Sequence, residues 1–209
     1  IYILTVHNCI MAYEILTGLI AFALVSSLTP GPNNLMLMTS GANFGFRRSL
    51  PHMFGVSLGF TLMVLLVGIG LVGIFEAFPV SYIILKVTSV LYLLYLAWRI
   101  ASASSVNNGI DEAKSPLNFI QAAMFQWVNP KAWTMALTAL SVYSPSQSMT
   151  AVAFVAAVFG IVNLPCVSIW TSMGHQLQRL LTNPRHLKLF NVTMALLLVS
   201  SLYPVLVSL

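Results

Sequence analysis

Two short stretches of the chain place proline and asparagine inside long apolar segments. The first is TPGPNN, in which Pro30, Gly31 and Pro32 precede Asn33 and Asn34. Proline removes a backbone N–H donor and displaces the carbonyl four residues earlier, so a helix that reaches these residues breaks there. Lipid cannot hydrogen-bond the freed carbonyls, and we therefore expect the break to face protein or a water-filled cavity.

The second stretch is WVNPKAW, where Asn129, Pro130 and Lys131 interrupt another apolar segment and Gln126 lies just upstream. Asn129 stands in the capping place before Pro130, which fits the first position of a helix. A lysine in an apolar span costs about 2.5–3.5 kcal/mol on insertion scales. Two roles stay open for Lys131. In the first, functional role, it binds a carboxylate or carries a charge that moves with the transport cycle. In the second, structural role, it snorkels to the membrane interface or pairs with a structural partner.

Each break creates a helix N-terminus whose unpaired N–H groups and positive dipole end suit an anion such as a carboxylate. Asn33 and Asn34 are expected at the start of the first new half-helix, where they can cap it. The freed carbonyls, expected at Ser26, Leu28 and Gln126, suit a cation such as an ammonium. An amino acid satisfies both ends at once, whereas phosphate or another small anion satisfies one. The predicted substrate-binding residues are Pro30, Gly31, Pro32, Asn33, Asn34, Gln126, Asn129, Pro130 and Lys131.

The composition indicates that membrane helices hold these residues. The chain has 209 residues, 58% hydrophobic and only 6% charged, with a mean hydropathy of +0.91, whereas a soluble domain carries about 25% charged residues. Its net charge is +5, and its charged residues lie in short clusters between apolar runs. Clusters of this kind indicate how a protein is oriented in a membrane, and they do not indicate nucleic-acid binding. Cys9 and Cys166 offer no metal or redox spacing. We expect no metal, no cofactor and no catalytic residues, and hence no enzyme.

The apolar runs predict an all-α integral membrane protein with six transmembrane helices. The spans, the first and fourth of which contain the breaks, are 13–46, 50–75, 79–100, 117–143, 149–173 and 187–209. With three spans in each half, the second half enters the membrane in the opposite orientation, as in an inverted repeat. The predicted divisions are an upstream or disordered tail over 1–11 and one transmembrane domain over 12–209, with halves 12–101 and 116–209 and a cytoplasmic loop over 102–115.

Basic residues predict how the spans are oriented. The connections after the first, third and fifth spans contain basic residues, and the connections after the second and fourth contain none. These basic residues are Arg47, Arg48, Arg99, Lys114, Arg179, Arg185 and Lys188. The positive-inside rule places these connections in the cytoplasm and both termini on the opposite side.

Other residues in the spans allow a polar or a packing role. His52 is expected either to shuttle a proton or to be a hydrogen-bonded histidine at the interface. The pairs Gly41 with Gly45 and Gly55 with Gly59 have the small-xxx-small spacing that predicts close helix packing.

Few charged residues lie within the apolar spans. Lys86 is expected to snorkel or to find a structural partner. Glu14 and Glu76 lie at span edges and are expected to be wetted carboxylates. Asn163, ahead of Pro165, is expected to help pack a kink. No acidic residue marks a proton path at the membrane centre, so coupling to protons stays open.

Several segments resemble one family. The N-terminal signature of the LysE/RhtB family of amino-acid exporters resembles LTPGPNNLMLMTSGANFGFRRSLPHMFGVSLGF. The third span of that family resembles LKVTSVLYLLYLAWRI, and its second-half NPKA segment resembles FIQAAMFQWVNPKAW. LAWRIA, TALS and WTSMGHQLQRLL look most like the cysteine/O-acetylserine exporter branch. The resemblance covers residues 12–209. It implies a multi-pass protein of the bacterial inner membrane, in which the termini that the positive-inside rule places opposite the cytoplasm would lie in the periplasm.

What the resemblance implies for function is a secondary transporter driven by the proton gradient. Its substrates would be small neutral amino acids or derivatives, either cysteine/O-acetylserine-like or homoserine/threonine/leucine-like. The implied partners are the amino acid and the lipid bilayer; the residues themselves leave a proton partner and a homo-oligomer open. Three alternatives remain: a non-transporting interaction subunit, a channel or exporter of inorganic ions, and a thiol-redox protein, which would need a second cysteine beside Cys166 within the spans.

Overall fold

The computed structural model describes residues 2–71, 77–78, 80–103, 115–144 and 148–203, with side chains from Tyr13 onward. Over these ranges the regular structure is entirely helical, with no strand. The α-helices are α1 (Tyr2–Leu28), α2 (Pro32–Phe44), α3 (Leu50–Leu66), α4 (Val80–Ser102), α5 (Phe119–Phe125), α6 (Pro130–Tyr143), α7 (Met149–Gln178) and α8 (Pro184–Ser200). Short 3-10 turns cover Arg47–Ser49 and Gln126–Val128, and a π-helical turn covers Val67–Leu71.

The first predicted break separates α1 from α2, which are bent by 55° relative to each other. The second helix begins at Pro32, because proline fits the first helical position, where its missing N–H would be unpaired in any case. Gly31 is the cap residue and no side chain caps this helix. Asn33 and Asn34 therefore lie inside the first turn, and the prediction that they cap the half-helix is wrong.

The second predicted break separates α5 from α6. The chain leaves α5 through the turn Gln126–Val128 and becomes extended at Asn129. The side chain of Asn129 accepts a hydrogen bond of 3.2 Å from the backbone N–H of Lys131, and Pro130 occupies the first turn of α6. The predicted cap at Asn129 is confirmed.

Three helical segments are long and apolar enough to cross a membrane: Arg47–Gly70, Val80–Ser102 and Met149–Gln178. The bent pair Tyr13–Leu28 and Pro32–Phe44 makes a fourth when it is counted as one broken span. The other helices, α5, α6 and α8, have 7, 14 and 17 residues. The described residues thus contain three to four spans by length and composition, where the sequence predicts six.

Some of the sequence predictions lie outside the described residues. They are the end of the second span at Glu76 and Pro79, the loop residues 104–114 with Lys114, and the end of the last span at 204–209. The first helix begins at Tyr2, so the backbone of the segment expected to be a tail is helical.

The helices pack around α7, which contacts α1, α2 and α3. A first apolar cluster joins α1, α3, α6 and α7 around Phe60 and Phe159. A second cluster joins α2, α3, α4, α5, α7 and α8 around Met53 and Phe125. Large apolar side chains also cover the outside of the bundle, among them Ile161 with 73% of its surface exposed. An apolar exterior of this kind suits lipid contact.

Backbone meets backbone where α2 crosses α7. A Cβ atom added to Gly41 would overlap the carbonyl oxygen of Thr171, and one added to Gly174 would overlap the carbonyl oxygen of Met38. The predicted close packing at Gly41 is therefore confirmed, with Gly174 as its counterpart. We call this contact the glycine seam.

The other predicted glycine pair also packs closely. A Cβ on Gly55 would overlap the carbonyl oxygen of Phe119, and one on Gly59 would lie 2.6 Å from the Cα of Ala123. Both glycines thus bring α3 against α5. Gly45 differs, because it ends α2 with a φ of 82°, a conformation that side chains disfavour. Its predicted packing role is wrong.

Candidate substrate site between the two helix breaks

The two breaks face each other across one cavity inside the bundle. Its polar lining consists of Ser26, Ser27, Asn33, Asn34, Asn129, Lys131 and Asn163. The cavity has an empty volume of about 340 Å³, part of it open to solvent. The space that a water-sized group can reach is enough for about one water molecule. An amino acid therefore enters only after the helices around the breaks separate.

Lys131 reaches across the cavity from α6 to the end of α1. Its Nζ donates to the carbonyl oxygen of Thr29 at 2.7 Å, to the hydroxyl of Thr29 at 2.8 Å and to the carbonyl oxygen of Pro30 at 3.4 Å. Gly31 leaves room for this reach, since a Cβ there would lie 2.7 Å from Cδ of Lys131. The three partners of the ammonium are neutral oxygens.

The sequence predicts freed carbonyls at the breaks that suit a cation, and the protein supplies donors for all of them. Asn34, which is buried, donates to the carbonyl oxygens of Ser27 at 2.7 Å and Thr29 at 2.8 Å. The three carbonyls that the sequence predicts to be freed also accept hydrogen bonds. The carbonyl of Ser26 accepts from the hydroxyl of Thr29, that of Leu28 from the indole N–H of Trp170, and that of Gln126 from the backbone N–H of Asn129. The end of α1 is thus closed by Asn34 and Lys131.

A reciprocal amide pair links the two breaks directly. Asn33 donates to Oε1 of Gln126 at 2.8 Å, and Gln126 donates back to Oδ1 of Asn33 at 3.2 Å. The Gln126 amide also donates to the carbonyl oxygen of Ala122 at 2.8 Å and is fully buried. A change in the relative position of the two breaks has to break this pair.

We expect Asn33→Ala and Gln126→Ala to lower the melting temperature of the purified protein by similar amounts. Asn33→Ala leaves the buried Gln126 amide with one partner fewer, and Gln126→Ala leaves the half-buried Asn33 amide without its partner, each at a cost of about 1–3 kcal/mol. The double variant should lose little more than either single variant, because the pair acts as a unit. Thermal unfolding in detergent measures this, with Gln176→Ala on the exposed end of α7 as the control. Fully additive losses would contradict the pairing.

Sequence reasoning missed Asn163 as a cavity residue. It is buried, its amide donates to the hydroxyl of Ser27 at 3.2 Å, and its Oδ1 atom has no partner among the described residues. The helix α7 continues through Pro165 without interruption, and Asn163 lines the cavity instead of serving only to pack a kink. The sequence signal for this role is an amide side chain that lies two residues ahead of a proline in an apolar span.

His52 and Lys86 lie away from this cavity. His52 is buried, and neither of its ring nitrogens has a hydrogen-bond partner among the described residues. The predicted hydrogen-bonded histidine is therefore wrong. The Nζ of Lys86 lies 4.6 Å from the ring centroid of Tyr82 on the same helix, which agrees with a structural partner.

Residues 24–201, which include both breaks and Asn163, match the family described as LysE type translocator. The chain belongs to this family. Similar proteins include the cysteine/O-acetylserine efflux proteins of Escherichia coli (strain K12), Escherichia coli O9:H4 (strain HS) and Shigella sonnei (strain Ss046). Each is 30% identical to this chain over 191 residues, which is 90% of this chain and 96% of the relative.

No solved structure gives a significant match to this LysE type translocator. The family match runs from the end of α1 through α8, so it covers the whole cavity between the breaks. Membership of a translocator family and apolar helices of spanning length together make the chain a multi-pass membrane transporter. Cys166 is a buried free thiol, and the side chain of Cys9 lies outside the described residues.

Proposed function

We propose that the cavity between the breaks binds a small neutral amino acid or a close derivative, of the cysteine or O-acetylserine kind, for export from the cytoplasm. The observation that carries the proposal is the contact of the Lys131 ammonium with the oxygens of Thr29 and Pro30. This contact joins a cation on one break to carbonyls on the other. A zwitterion is the ligand that can be inserted between them with both of its charges paired.

The exchange of partners explains why a zwitterion fits. The substrate carboxylate takes the Lys131 ammonium, and the positive end of the dipole of α6 adds to this attraction. The substrate ammonium takes the oxygens of Thr29 and Pro30 that Lys131 releases. Oδ1 of Asn163 supplies a further acceptor in the same cavity. Charge-assisted hydrogen bonds on both ends offset the desolvation of the two charges.

The apolar part of the lining favours a small uncharged side chain. Phe60, Met135 and Val167 line the cavity beside its polar groups. A charged side chain would lie against them without a partner, which costs free energy in a buried place. The names of the similar efflux proteins support the same substrate class.

The transport mechanism that we propose is alternating access by six spans in two inverted halves, with both termini in the periplasm. The support is that Pro32 and Pro130 each open a half-helix at a break, and that both breaks line one cavity. In folds of this kind, discontinuous helices at the interface of two repeats form the substrate site. Each cycle breaks and remakes the bonds of Lys131 and the Asn33–Gln126 pair. The proton gradient drives the cycle.

The test of this function is a panel of radiolabelled amino acids in proteoliposomes that hold the purified protein, with and without a pH gradient. We expect O-acetylserine, cysteine, homoserine, threonine or leucine to be carried, and lysine and phosphate to be excluded. Transport of phosphate alone, or of no amino acid in the panel, would overturn the proposal. Transport that ignores the pH gradient would overturn only the coupling to protons.

Asn34→Ala is expected to lower the export rate by about tenfold. The variant removes two hydrogen bonds to the carbonyl oxygens of Ser27 and Thr29, and each 1.4 kcal/mol lost from the loaded site amounts to about tenfold. Efflux from preloaded cells, divided by the amount of protein in the membrane, measures the change. The control is Asn183→Ala, which removes an exposed cap of α8 and no cavity group. Equal rates in wild type and Asn34→Ala would exclude Asn34 from the site.

A further inference from the structure

A second reciprocal amide pair holds the other end of α2. Asn43 donates to Oδ1 of Asn191 at 2.7 Å, and Asn191 donates back to Oδ1 of Asn43 at 3.0 Å. The other N–H of the Asn43 amide donates to the carbonyl oxygen of Thr39 at 2.9 Å. The other N–H of the Asn191 amide donates to the carbonyl oxygen of Ala103 at 3.1 Å, so every amide N–H of the pair is bonded. The pair is buried, and it ties α2 to α8 and to the residue that follows α4.

The two amide pairs of α2 lie on either side of the glycine seam. In the seam, Gly174 packs against the carbonyl oxygen of Met38, which lies midway along the chain between Asn33 and Asn43. Each asparagine is therefore roughly 7.5 Å from this contact along the helix axis, at about 1.5 Å per residue. The helical turn of about 100° per residue places the two side chains about 80° apart around α2. A tilt of α2 about the seam therefore moves its two ends, and the two pairs with them, in opposite directions.

Both ends of α2 allow such a tilt. The helix follows the extended residue Gly31 and ends at Gly45, whose φ of 82° glycine adopts more readily than other residues. The helix α1 does not continue into α2, since the two meet at a bend of 55°. Movements of a rigid helix are absorbed by a few residues at its ends. Gly31 and Gly45 are placed to absorb a tilt of α2.

Each pair also borders a cavity from which water can replace its bonds. A broken pair that stays buried leaves amide groups unpaired, which costs free energy. Asn43 and Ala103 line a second cavity, which has an empty volume of about 500 Å³, part of it open to solvent. Asn33 lines the cavity between the breaks. Water that enters either cavity when its pair separates can bond the amides that the pair leaves behind.

We propose that α2 tilts about the glycine seam during transport, and that the two amide pairs are its alternate closing contacts. Separation of Asn43 from Asn191 opens the second cavity at the end of the bundle that carries the basic residues. Separation of Asn33 from Gln126 opens the cavity between the breaks towards the other end. This inference rests on the proposed function, because it assigns the alternating access to two particular contacts. Asn43 and Asn191 act through the position of α2 and do not need to touch the substrate.

The test uses one cysteine on α2 as a reporter. Met36 lines the second cavity and has 5% of its surface exposed. In a protein that also carries Cys9→Ser and Cys166→Ala, Met36→Cys should therefore react with a water-soluble maleimide when this cavity opens. The purified full chain in lipid nanodiscs is labelled without amino acid, so the rate reports the movement of α2 alone.

Asn191→Ala should raise the labelling rate about tenfold. The closed form of this variant leaves Asn43 and the carbonyl of Ala103 without their partner, whereas water supplies one in the open form, and a loss equal to one buried hydrogen bond corresponds to about tenfold. Asn33→Ala is the matched control, because it removes an equivalent reciprocal pair at the other end of α2. It should leave the rate unchanged or lower it, although both variants lose thermal stability.

The outcomes separate a closing contact from a structural one. An equal rise in Asn191→Ala and Asn33→Ala would mean that any lost amide pair loosens the bundle, and it would overturn the inference. An unchanged rate in Asn191→Ala would overturn it as well, and the proposed function would stand if the wild type carries amino acids. The expected labelling in a protein that carries no amino acid would support the tilt and overturn the proposed function.

A cross-link covers the case in which Asn191→Ala does not fold. In the same background, Asn43→Cys and Asn191→Cys place two thiols across the pair, and a short bis-methanethiosulfonate joins them through disulfides that a reducing agent reverses. In proteoliposomes, we expect linking to lower amino-acid export at least about tenfold and reduction to restore it. Each single-cysteine variant, treated with the same reagent, is the control. Export that continues unchanged in the linked protein would overturn the inference.

Discussion

Replacing Lys131 by methionine is expected to reduce amino-acid export by more than about tenfold while the protein still reaches the membrane. The ammonium makes three contacts with oxygens of Thr29 and Pro30, and a hydrogen bond to a charged group contributes about 1.5–3 kcal/mol, which corresponds to about 10- to 150-fold. Methionine lacks the insertion cost of about 2.5–3.5 kcal/mol that a lysine carries at the centre of a span. Efflux from preloaded cells, normalised to membrane protein, is the measurement.

Lys86→Met is the matched control for this experiment. Lys86 is also a lysine in an apolar helix, but it lies beside the ring of Tyr82 and does not line the cavity between the breaks. We expect its export rate to stay near that of wild type. Unchanged efflux in Lys131→Met would reject the site between the breaks. Equal losses in both variants would show that any lysine in a span matters, whatever it contacts.

Gly174→Ala is expected to destabilise the folded protein strongly. The added Cβ would overlap the carbonyl oxygen of Met38, which is backbone and cannot rotate away. Overpacking of this kind costs about 1–3 kcal/mol or more, because α2 and α7 have to separate. We expect the melting temperature in detergent to fall by roughly 5 °C or more. Gly41→Ala should act in the same way through the carbonyl oxygen of Thr171.

Gly18→Ala is the control for the glycine seam. The nearest atom to its added Cβ is Cε1 of Tyr143 at 3.3 Å, which belongs to a side chain that can shift. Alanine is also the better helix former by about 1 kcal/mol, so the melting temperature should change little. Equal losses at Gly18 and Gly174 would mean that the seam is no more tightly packed than the rest of the bundle.

Features that depend on neighbouring residues were predictable from the sequence. Proline rules gave both breaks, and the order Asn129 then Pro130 gave the cap of α6. The helical class followed from apolar runs with few charges. The same rules failed at Asn33 and Asn34, because Pro32 itself fits the first helical position and moves the start of α2 ahead of both asparagines. Local rules could not tell which of two adjacent residues would begin the helix.

Features that depend on distant residues could not be predicted. Asn33 pairs with Gln126 in another part of the chain, and Lys131 contacts Thr29, from which α2 to α5 separate it along the chain. These contacts arise from packing, which a single sequence does not reveal. Asn163 is the intermediate case. Its type and its place in an apolar span were noticeable, but only the position of α7 beside the first break brings it to the cavity.

The neutral surroundings of Lys131 have an electrical consequence for the proposed cycle. Its ammonium rests on three uncharged oxygens, and a zwitterion brings no net charge, so the empty and the loaded site carry the same charge. Outward and return movements therefore displace equal charge in opposite directions through the membrane field. Any dependence of net export on membrane voltage then reports the coupling ion alone, at about 2.3 kcal/mol per charge for each 100 mV.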